Sequence, residues 1–510
     1  MSRIENTSKN FLYSLLATSI TSITSFVSRT VFIKTIGVTY LGANSLFTNV
    51  LSMLSLTELG LSSAIGFSLY LPLAKKDIAR IKSLMNFYKK AYRVIALVIA
   101  VLGLSLIPFL DYLIKDPGEM QHIPFIYFVF LYNTVISYLF TYKTTLLVAD
   151  QKSYVMTNMN TAINIVTVII QIFILLKTQN YFVYLIVGAV LNTVQWFFIN
   201  HRIYRIYPYL KEEDAGPLNE EDRKNISTNV KAMVFHKFGE LCINQTDNII
   251  ISSFISVTAV GIYNNYYMII NIINRFAQSI FSAASASLGN LIATESYEKR
   301  YKVFKRYNFL GFWVFGWTGL CLYILLDPFI NLWLGAEFLI DNLTLSLVML
   351  NYYLVGMRIT IGNVKMAAGL YKQDQWAPIV QAIVNLAVSI IGAIHMGLAG
   401  VFLGTVISSI SVPCWYRPVV VYKYAFQKPV IEYFKVYFLY LAVVLLNVVA
   451  TRYICEMVGC RITSQFVNLL VQAAICVVLP NVVVILLFWK TDEFRYVTIL
   501  VEAFLLRKSR

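Results

Sequence analysis

Residues 231–256 read Lys-Ala-Met-Val-Phe-His-Lys-Phe-Gly-Glu-Leu-Cys-Ile-Asn-Gln-Thr-Asp-Asn and then Ile-Ile-Ile-Ser-Ser-Phe-Ile-Ser, a hydrophobic span carrying more charge than a membrane helix ordinarily holds. Lys237, Glu240, Asn244 and Asp247 follow one another at steps of three, four and three. On a helix that spacing puts all four on one face. Ionisable groups inside a bilayer are costly, and they face the protein interior or a water-filled cavity, where they mark substrate and ion pathways. The competing reading is an ion-pair network that only fastens helices together. The stretch decides the fold class because both readings require it to cross a membrane.

The rest of the chain agrees. Of 510 residues, 58% are hydrophobic and 13% charged, and the mean hydropathy is +0.66. A soluble domain carries roughly twice that charged fraction. Apolar stretches close to the ~20 residues needed to span a bilayer recur throughout. They fall at about 11–33, 41–73, 91–114, 123–148, 155–176 and 181–200 in the first half. They continue at about 231–256, 259–285, 308–332, 341–366, 377–395, 398–420, 434–455 and 465–489. The expected fold is an all-α polytopic membrane protein of about fourteen transmembrane helices. The first span is too long for a signal-peptide core and is expected to remain in the protein. Six cysteines are scattered without a metal-binding or redox spacing. No cofactor and no metal site is expected.

The net charge of +16 is placed topologically. Lys75, Lys76, Arg80, Lys82, Lys89 and Lys90 share one loop region, Arg202, Arg205 and Lys211 another, and Lys299, Arg300, Lys302, Lys305 and Arg306 a third. The tail adds Arg507, Lys508 and Arg510, whereas the alternate loops are nearly bare of Lys and Arg. Short basic loops stay cytoplasmic, so both termini are expected inside, and a nucleic-acid partner has no support. The stretch 201–230, with Glu212-Glu-Asp214 and Gly216-Pro217, reads as a solvated cytoplasmic linker. The expected organisation is an N-terminal six-helix lobe (1–200), this linker, a C-terminal six-helix lobe (231–420), and an additional helix pair with a cytoplasmic tail (421–510).

The two halves read as copies. Ile36-Gly-Val-Thr-Tyr-Leu-Gly42 aligns with Ile255-Ser-Val-Thr-Ala-Val-Gly261. Repeats in one orientation imply a pseudo-twofold axis along the membrane normal, with a binding site between lobes near mid-membrane. Polar stripes at helical spacing support the plan: Ser14, Thr18, Thr21, Ser25 and Arg29, then Asn44, Thr48, Ser55, Glu58 and Ser62, then Asn264, Tyr267, Asn271, Arg275, Gln278 and Ser282. Asn351 and Arg358 form a shorter one. Ser, Thr and Asn also serve plain helix packing, so the charged members carry most of the weight. Under the repeat, Arg29 falls opposite Asn248, beside Asp247, and Glu58 opposite Ala277, near Arg275. Each lobe is thus expected to bring one acid and one base to similar depth, with Arg29 neutralised by Asp247 and Arg275 by Glu58.

Arg29-Thr-Val-Phe-Ile-Lys-Thr-Ile-Gly37 with Leu41-Gly42, Glu58-Leu-Gly60-Leu and Thr246-Asp247-Asn248-Ile-Ile-Ile resemble segments of Wzx-type oligosaccharide-lipid flippases. So do Val260-Gly261-Ile-Tyr263-Asn-Asn-Tyr266, Ser287-Leu-Gly289-Asn290, Trp333-Leu-Gly335 and Gly356-Met-Arg358, and the resemblance covers nearly the whole chain. These flippases belong to the multidrug/oligosaccharidyl-lipid/polysaccharide exporter superfamily. The resemblance implies two six-helix lobes around a central cavity and translocation of an undecaprenyl-pyrophosphate-linked oligosaccharide across a bacterial plasma membrane. It also implies a pathway shared with a polysaccharide polymerase and glycosyltransferases. Arg29, Arg275 and Arg358 are the positions expected to engage the pyrophosphate. Glu58, Glu240 and Asp247 are the expected cavity acids, exchanging H⁺ or Na⁺, and Lys237, Asn244, Asn271 and Gln278 line the cavity. Guanidinium suits the task, because it grips phosphate oxygens bidentately and keeps its charge when dehydrated.

Two other classes compete. A cation-coupled small-molecule antiporter of the same fold is the nearer; the extra pair 434–489 argues for a lipid substrate instead. A membrane polymerase or acyltransferase is the other, but every outer loop is short. The four histidines, His122, His201, His236 and His395, stand with no nucleophile in a recognisable motif.

Overall fold

A computed structural model describes residues 3–58, 61–118, 120–212, 216–220, 222–224, 226–227, 230, 245–370 and 372–506. Among them there are helices and turns and no strand. Eleven helices are long and apolar enough to cross a membrane. They account for all but three of the expected spans, and each exception has its own cause. Residues 231–244, with Lys237, Glu240, Asn244 and His236, lie outside the described residues. The helix Val257–Thr294 runs for 38 residues, but its Asn and Tyr content keeps it too polar for the apolar set.

The third exception is a difference in structure. The span expected at 41–73 is two helices, Val38–Leu54 and Leu61–Lys75, separated by a 3₁₀ turn at Ser55–Glu58. Hydroxyls turn back on the helix before the break: Thr48 donates to the Asn44 carbonyl at 2.7 Å, Ser52 to Thr48 at 2.7 Å and Ser55 to Ser52 at 2.5 Å. Such back-bonding loosens and bends a helix, and a 3₁₀ turn inside a long helical stretch is a common site of function. The turn carries Glu58.

The chain forms two compact units, Met1–Gly261 and Ile262–Arg510. In the first, Arg3–Thr35 packs along Ser153–Thr178, and Ile123–Thr141 lies against both Ile78–Ser105 and Tyr181–Ile206. Asp77 caps Ile78–Ser105 by accepting from the Arg80 amide at 3.0 Å, and Asn180 caps Tyr181–Ile206 by accepting from Phe182 at 2.8 Å. The expected linker is docked on this unit at several of its described residues. Arg80 grips the buried Asp222 with Nε–Oδ2 at 2.9 Å and Nη2–Oδ1 at 2.6 Å. Lys82 pairs with Glu212, and the Tyr207 hydroxyl donates to Asp150 at 2.6 Å.

The repeated heptapeptide also closes on itself. The Thr39 and Thr258 hydroxyls lie 3.0 Å apart, 219 positions from each other. Beside them, a Cβ added at Gly42 would lie 1.9 Å from the Val257 carbonyl oxygen, and one at Gly261 would lie 2.2 Å from that of Val38. Only glycine fits at either position.

In the second unit, Ala377–Met396 and Leu398–Ser411 form a close hairpin turned at Gly397, whose φ is +59°. Gly392 and Gly400 bring the two backbones together, so that a Cβ at Gly392 would lie 2.3 Å from the Gly400 oxygen. Small residues at helix contacts are the usual device where lipid removes the hydrophobic drive for association. The last pair, Ile431–Gly459 and Gln465–Phe488, docks on Tyr297–Trp333. Phe312 stacks on Tyr440 at 4.2 Å between ring centres, and Trp313 Nε1 donates to Asn481 at 2.7 Å. The outer faces of this pair are apolar and open, Leu446 being 71% and Leu486 68% exposed, as a lipid-facing surface requires.

One buried ion pair holds a helix end in this unit. Lys365 Nζ donates to both Asp374 carboxylate oxygens at 2.5 Å, with the two side chains 9% and 1% exposed. Asp374 is also within electrostatic reach of Arg417. Asp374→Asn therefore leaves two cations without their counter-charge and is expected to cost about 3–5 kcal/mol. Lys365→Met, which leaves Asp374 its second cation, is expected to cost less. Thermal unfolding of the two purified variants in one detergent checks the order.

Candidate functional site

Each unit carries its own set of charged and polar side chains on membrane helices. In the first, Arg29 is half-buried on Arg3–Thr35, within the apolar span Leu16–Thr35. Hydroxyls on this helix are bonded locally and across: Thr21 of the stripe donates to the Ala17 carbonyl at 2.7 Å, and Thr24, outside the stripe, reaches Asn164 of Ser153–Thr178 at 3.4 Å. Asp247 is half-buried in the helical stretch 245–254, between the buried Thr246 and Asn248. Asn248 Oδ1 is buried with no hydrogen-bond partner among the described residues.

Glu58 sits at the end of a chain of hydroxyls. The Tyr92 hydroxyl donates to its Oε1, and Tyr88 donates to Tyr92 at 3.1 Å. Tyr88 and Thr145 share a hydrogen bond at 3.1 Å, and Thr145 reaches Ser62 at 3.4 Å. Tyr88 and Tyr92 are both fully buried and meet edge to face. The described partners of Glu58 are thus phenols of its own unit, Tyr92 and Tyr138. A carboxylate on a broken helix, fed by rotatable hydroxyls, can accept a proton or a small cation while its neighbours reorient to match.

In the second unit Arg275 and Gln278 are exposed and Asn271 half-buried, all on Val257–Thr294. Their spacing places them on one face. Arg275 makes no ion pair among the described residues. Arg358 is in a different setting, buried to 8% exposure on Asn342–Ala367. It donates to the Ser409 carbonyl and hydroxyl, both at 3.3 Å, and Ser409 donates to Asn351 at 3.0 Å. No carboxylate contacts it among the described residues. The expected basic positions are therefore of two kinds, an open arginine at 275 and an enclosed one at 358.

A further polar set escaped the sequence reading. Asn192 donates to Asn133 at 3.0 Å, Gln195 to Asn160 at 3.3 Å, and Tyr132 shares a hydrogen bond with Thr193 at 2.9 Å. The signal was present as Asn160 and Asn164 at a four-residue step and Asn192 and Gln195 at a three-residue step. These helices carry no mid-span charge, and uncharged polar residues at such steps read equally as plain packing contacts.

Residues 7–286, more than half of the chain, match the family described as polysaccharide biosynthesis protein. The chain belongs to this family. Solved structures share its fold. The lipid II flippase MurJ, in an inward closed conformation, is 16% identical with a TM-score of 0.63, over 94% of this chain and 99% of that one. An inward-facing multidrug resistance MATE family transporter of the MOP superfamily is 14% identical at a TM-score of 0.60, over 78% of this chain and 94% of its own. The Vibrio cholerae MATE transporter VcmN in its bent form is 14% identical at 0.52, over 83% and 97%. No curated protein sequence matches. At these identities the likeness shows fold alone, the multi-pass helical fold that these flippases and transporters share. The expected Wzx-type resemblance and all-α polytopic fold are borne out.

Proposed function

We propose that the protein flips undecaprenyl-pyrophosphate-linked oligosaccharide from the cytoplasmic to the outer face of a bacterial plasma membrane, supplying capsule, exopolysaccharide or O-antigen assembly. The observation that carries this reading is the polar face of Val257–Thr294, where Arg275 and Gln278 are exposed side by side. A membrane helix presents such a face to water or to a polar cargo, not to lipid. Arg275 offers a free guanidinium to a diphosphate, with Arg29 and Arg358 as further cations. The amides of Asn133, Asn160, Asn192, Gln195 and Asn271 suit sugar hydroxyls. Both termini and the basic loops face the cytoplasm in this reading. The 1–200 and 231–420 regions act as the two alternating lobes, and a polymerase and glycosyltransferases work on either side of the step.

A second reading, a cation-coupled exporter of smaller molecules, draws on Glu58 and its hydroxyl chain. One experiment separates the two. Depleting the protein in cells is expected to accumulate lipid-linked oligosaccharide accessible only from the cytoplasmic face, measured by glycosidase protection in right-side-out and inverted vesicles. Normal distribution of that lipid after depletion would leave the exporter reading in its place.

A further inference from the structure

Where the start of Ile78–Ser105 meets the end of Tyr181–Ile206, the first unit holds a cavity of about 290 Å³ lined by Lys82, Lys89, Lys143, Tyr204, Lys211 and Glu212. Four ammonium groups face one carboxylate, and they come from three parts of the chain: the helix Ile78–Ser105, the turn after Ile123–Thr141, and the docked linker. Lys143 is the unusual member. It is 5% exposed, and its Nζ donates to Asn200 Oδ1 and, at 2.9 Å, to the Tyr204 hydroxyl. Nζ also lies 4.1 Å from the centre of the Tyr204 ring. No carboxylate reaches it among the described residues. A buried ammonium held only by neutral groups is costly unless an anion joins it. Burial and the neighbouring Lys89 pull its pKa down to about 8, as expected of a cation lacking its counter-charge.

The single acid supplies the second observation. Glu212 belongs to the linker, is exposed, and reaches into the cavity to pair with Lys82. It occupies one lysine and leaves three.

We propose that this cavity is a phosphate-binding site, separate from the residues assigned to cargo, which takes a phosphate monoester or diphosphate from either a membrane lipid headgroup or a soluble phosphorylated compound. Ammonium groups are strong phosphate partners as point charges, and the Tyr204 hydroxyl adds a directional donor. The bound anion displaces Glu212 from Lys82, so occupancy changes how the linker is held to the first unit. A polar cavity of this size accepts a diphosphate, and none of the residues assigned to cargo lines it.

The test uses the full-length protein in nanodiscs. In the soluble arm, discs of phosphatidylcholine receive inorganic pyrophosphate, with binding followed by isothermal calorimetry. In the lipid arm, discs containing phosphatidic acid, whose headgroup is a phosphate monoester, are examined by native mass spectrometry for lipid retained over phosphatidylcholine. Saturable binding in either arm is expected and identifies the source. Lys89→Gln and Lys211→Gln, both outside the packed contacts of Lys143, are each expected to weaken that binding by about tenfold. Glu212→Gln is expected to strengthen it several-fold, because the internal competitor is gone; a purely structural lysine cluster would show no such gain. The proposal is overturned by absence of binding in both arms, by binding that survives both lysine substitutions, or by an affinity unchanged or lowered in Glu212→Gln. Lipid export is not the readout, so failure here leaves the flippase reading untouched.

Discussion

Cysteines placed at Thr39 and Thr258 will form a disulfide under mild oxidation and will stop transport until reduced. The two hydroxyls are 3.0 Å apart, and the flanking Gly42 and Gly261 hold the backbones too close for any side chain. A disulfide needs its Cβ atoms within about 4.5 Å, and a direct contact between two hydroxyls brings them close to that range. The effect is expected to be large because the partners are the two copies of one repeated sequence. In the alternating-access reading proposed above, the 1–200 and 231–420 regions move against each other. A covalent bond between positions 39 and 258, one from each region, would then trap one state. The background must lack the native cysteines, of which Cys321, Cys414, Cys455, Cys460 and Cys476 are free thiols. Export is measured before oxidation, after it, and after dithiothreitol, beside each single cysteine. Full export by a completely cross-linked protein would make the contact a static one.

The second large effect is expected at Glu58. Its carboxylate accepts from Tyr92, and a glutamine there can still accept that hydrogen bond through its amide oxygen. Glu58→Gln should therefore fold and insert normally. What it loses is the ability to bind and release a proton or cation. Coupling between two sites is worth about 1–3 kcal/mol, or about 5–150-fold, and a loss of export in that range is expected together with loss of its dependence on the ion gradient. Tyr92→Phe keeps the acid and breaks only the hydroxyl chain, so it should retain gradient dependence at a reduced rate. Wild-type export and gradient response in Glu58→Gln would remove this acid from any coupling role.

Much of the architecture was legible in the sequence because bilayer crossing is a local property of composition. The eleven observed apolar helices fall where runs of hydrophobic residues stand. The break near Glu58 was less visible, since Ser52 and Ser55 read equally well as polar spots on a continuous helix. It takes their back-bonding to show that the ladder gives way there. Docking of the linker was hidden for a different reason. Its charge run looked solvated, yet Asp222 finds its partner 142 positions away at Arg80, and long-range pairing leaves no local pattern. The Thr39–Thr258 contact lay between these extremes. The repeat was readable as seven aligned positions, but that its copies would touch depends on glycine at both 42 and 261. Of the charged stripe within 231–256, Asp247 is placed and Lys237, Glu240 and Asn244 fall outside the described residues.

The 37-residue helix Tyr297–Trp333 behaves as a beam. It is about 55 Å long, with Asn342–Ala367 on one flank and the final helix pair fixed to another through Phe312, Trp313 and Trp317. A rotation of about 10° about its midpoint would carry each end roughly 5 Å. Helices bolted to it travel as passengers. The apolar outer faces of Ile431–Gly459 and Gln465–Phe488 would then sweep through the surrounding lipid with every stroke of the beam, and deleting the pair would strip Phe309, Phe312 and Trp317 of their cover as well as removing that moving surface.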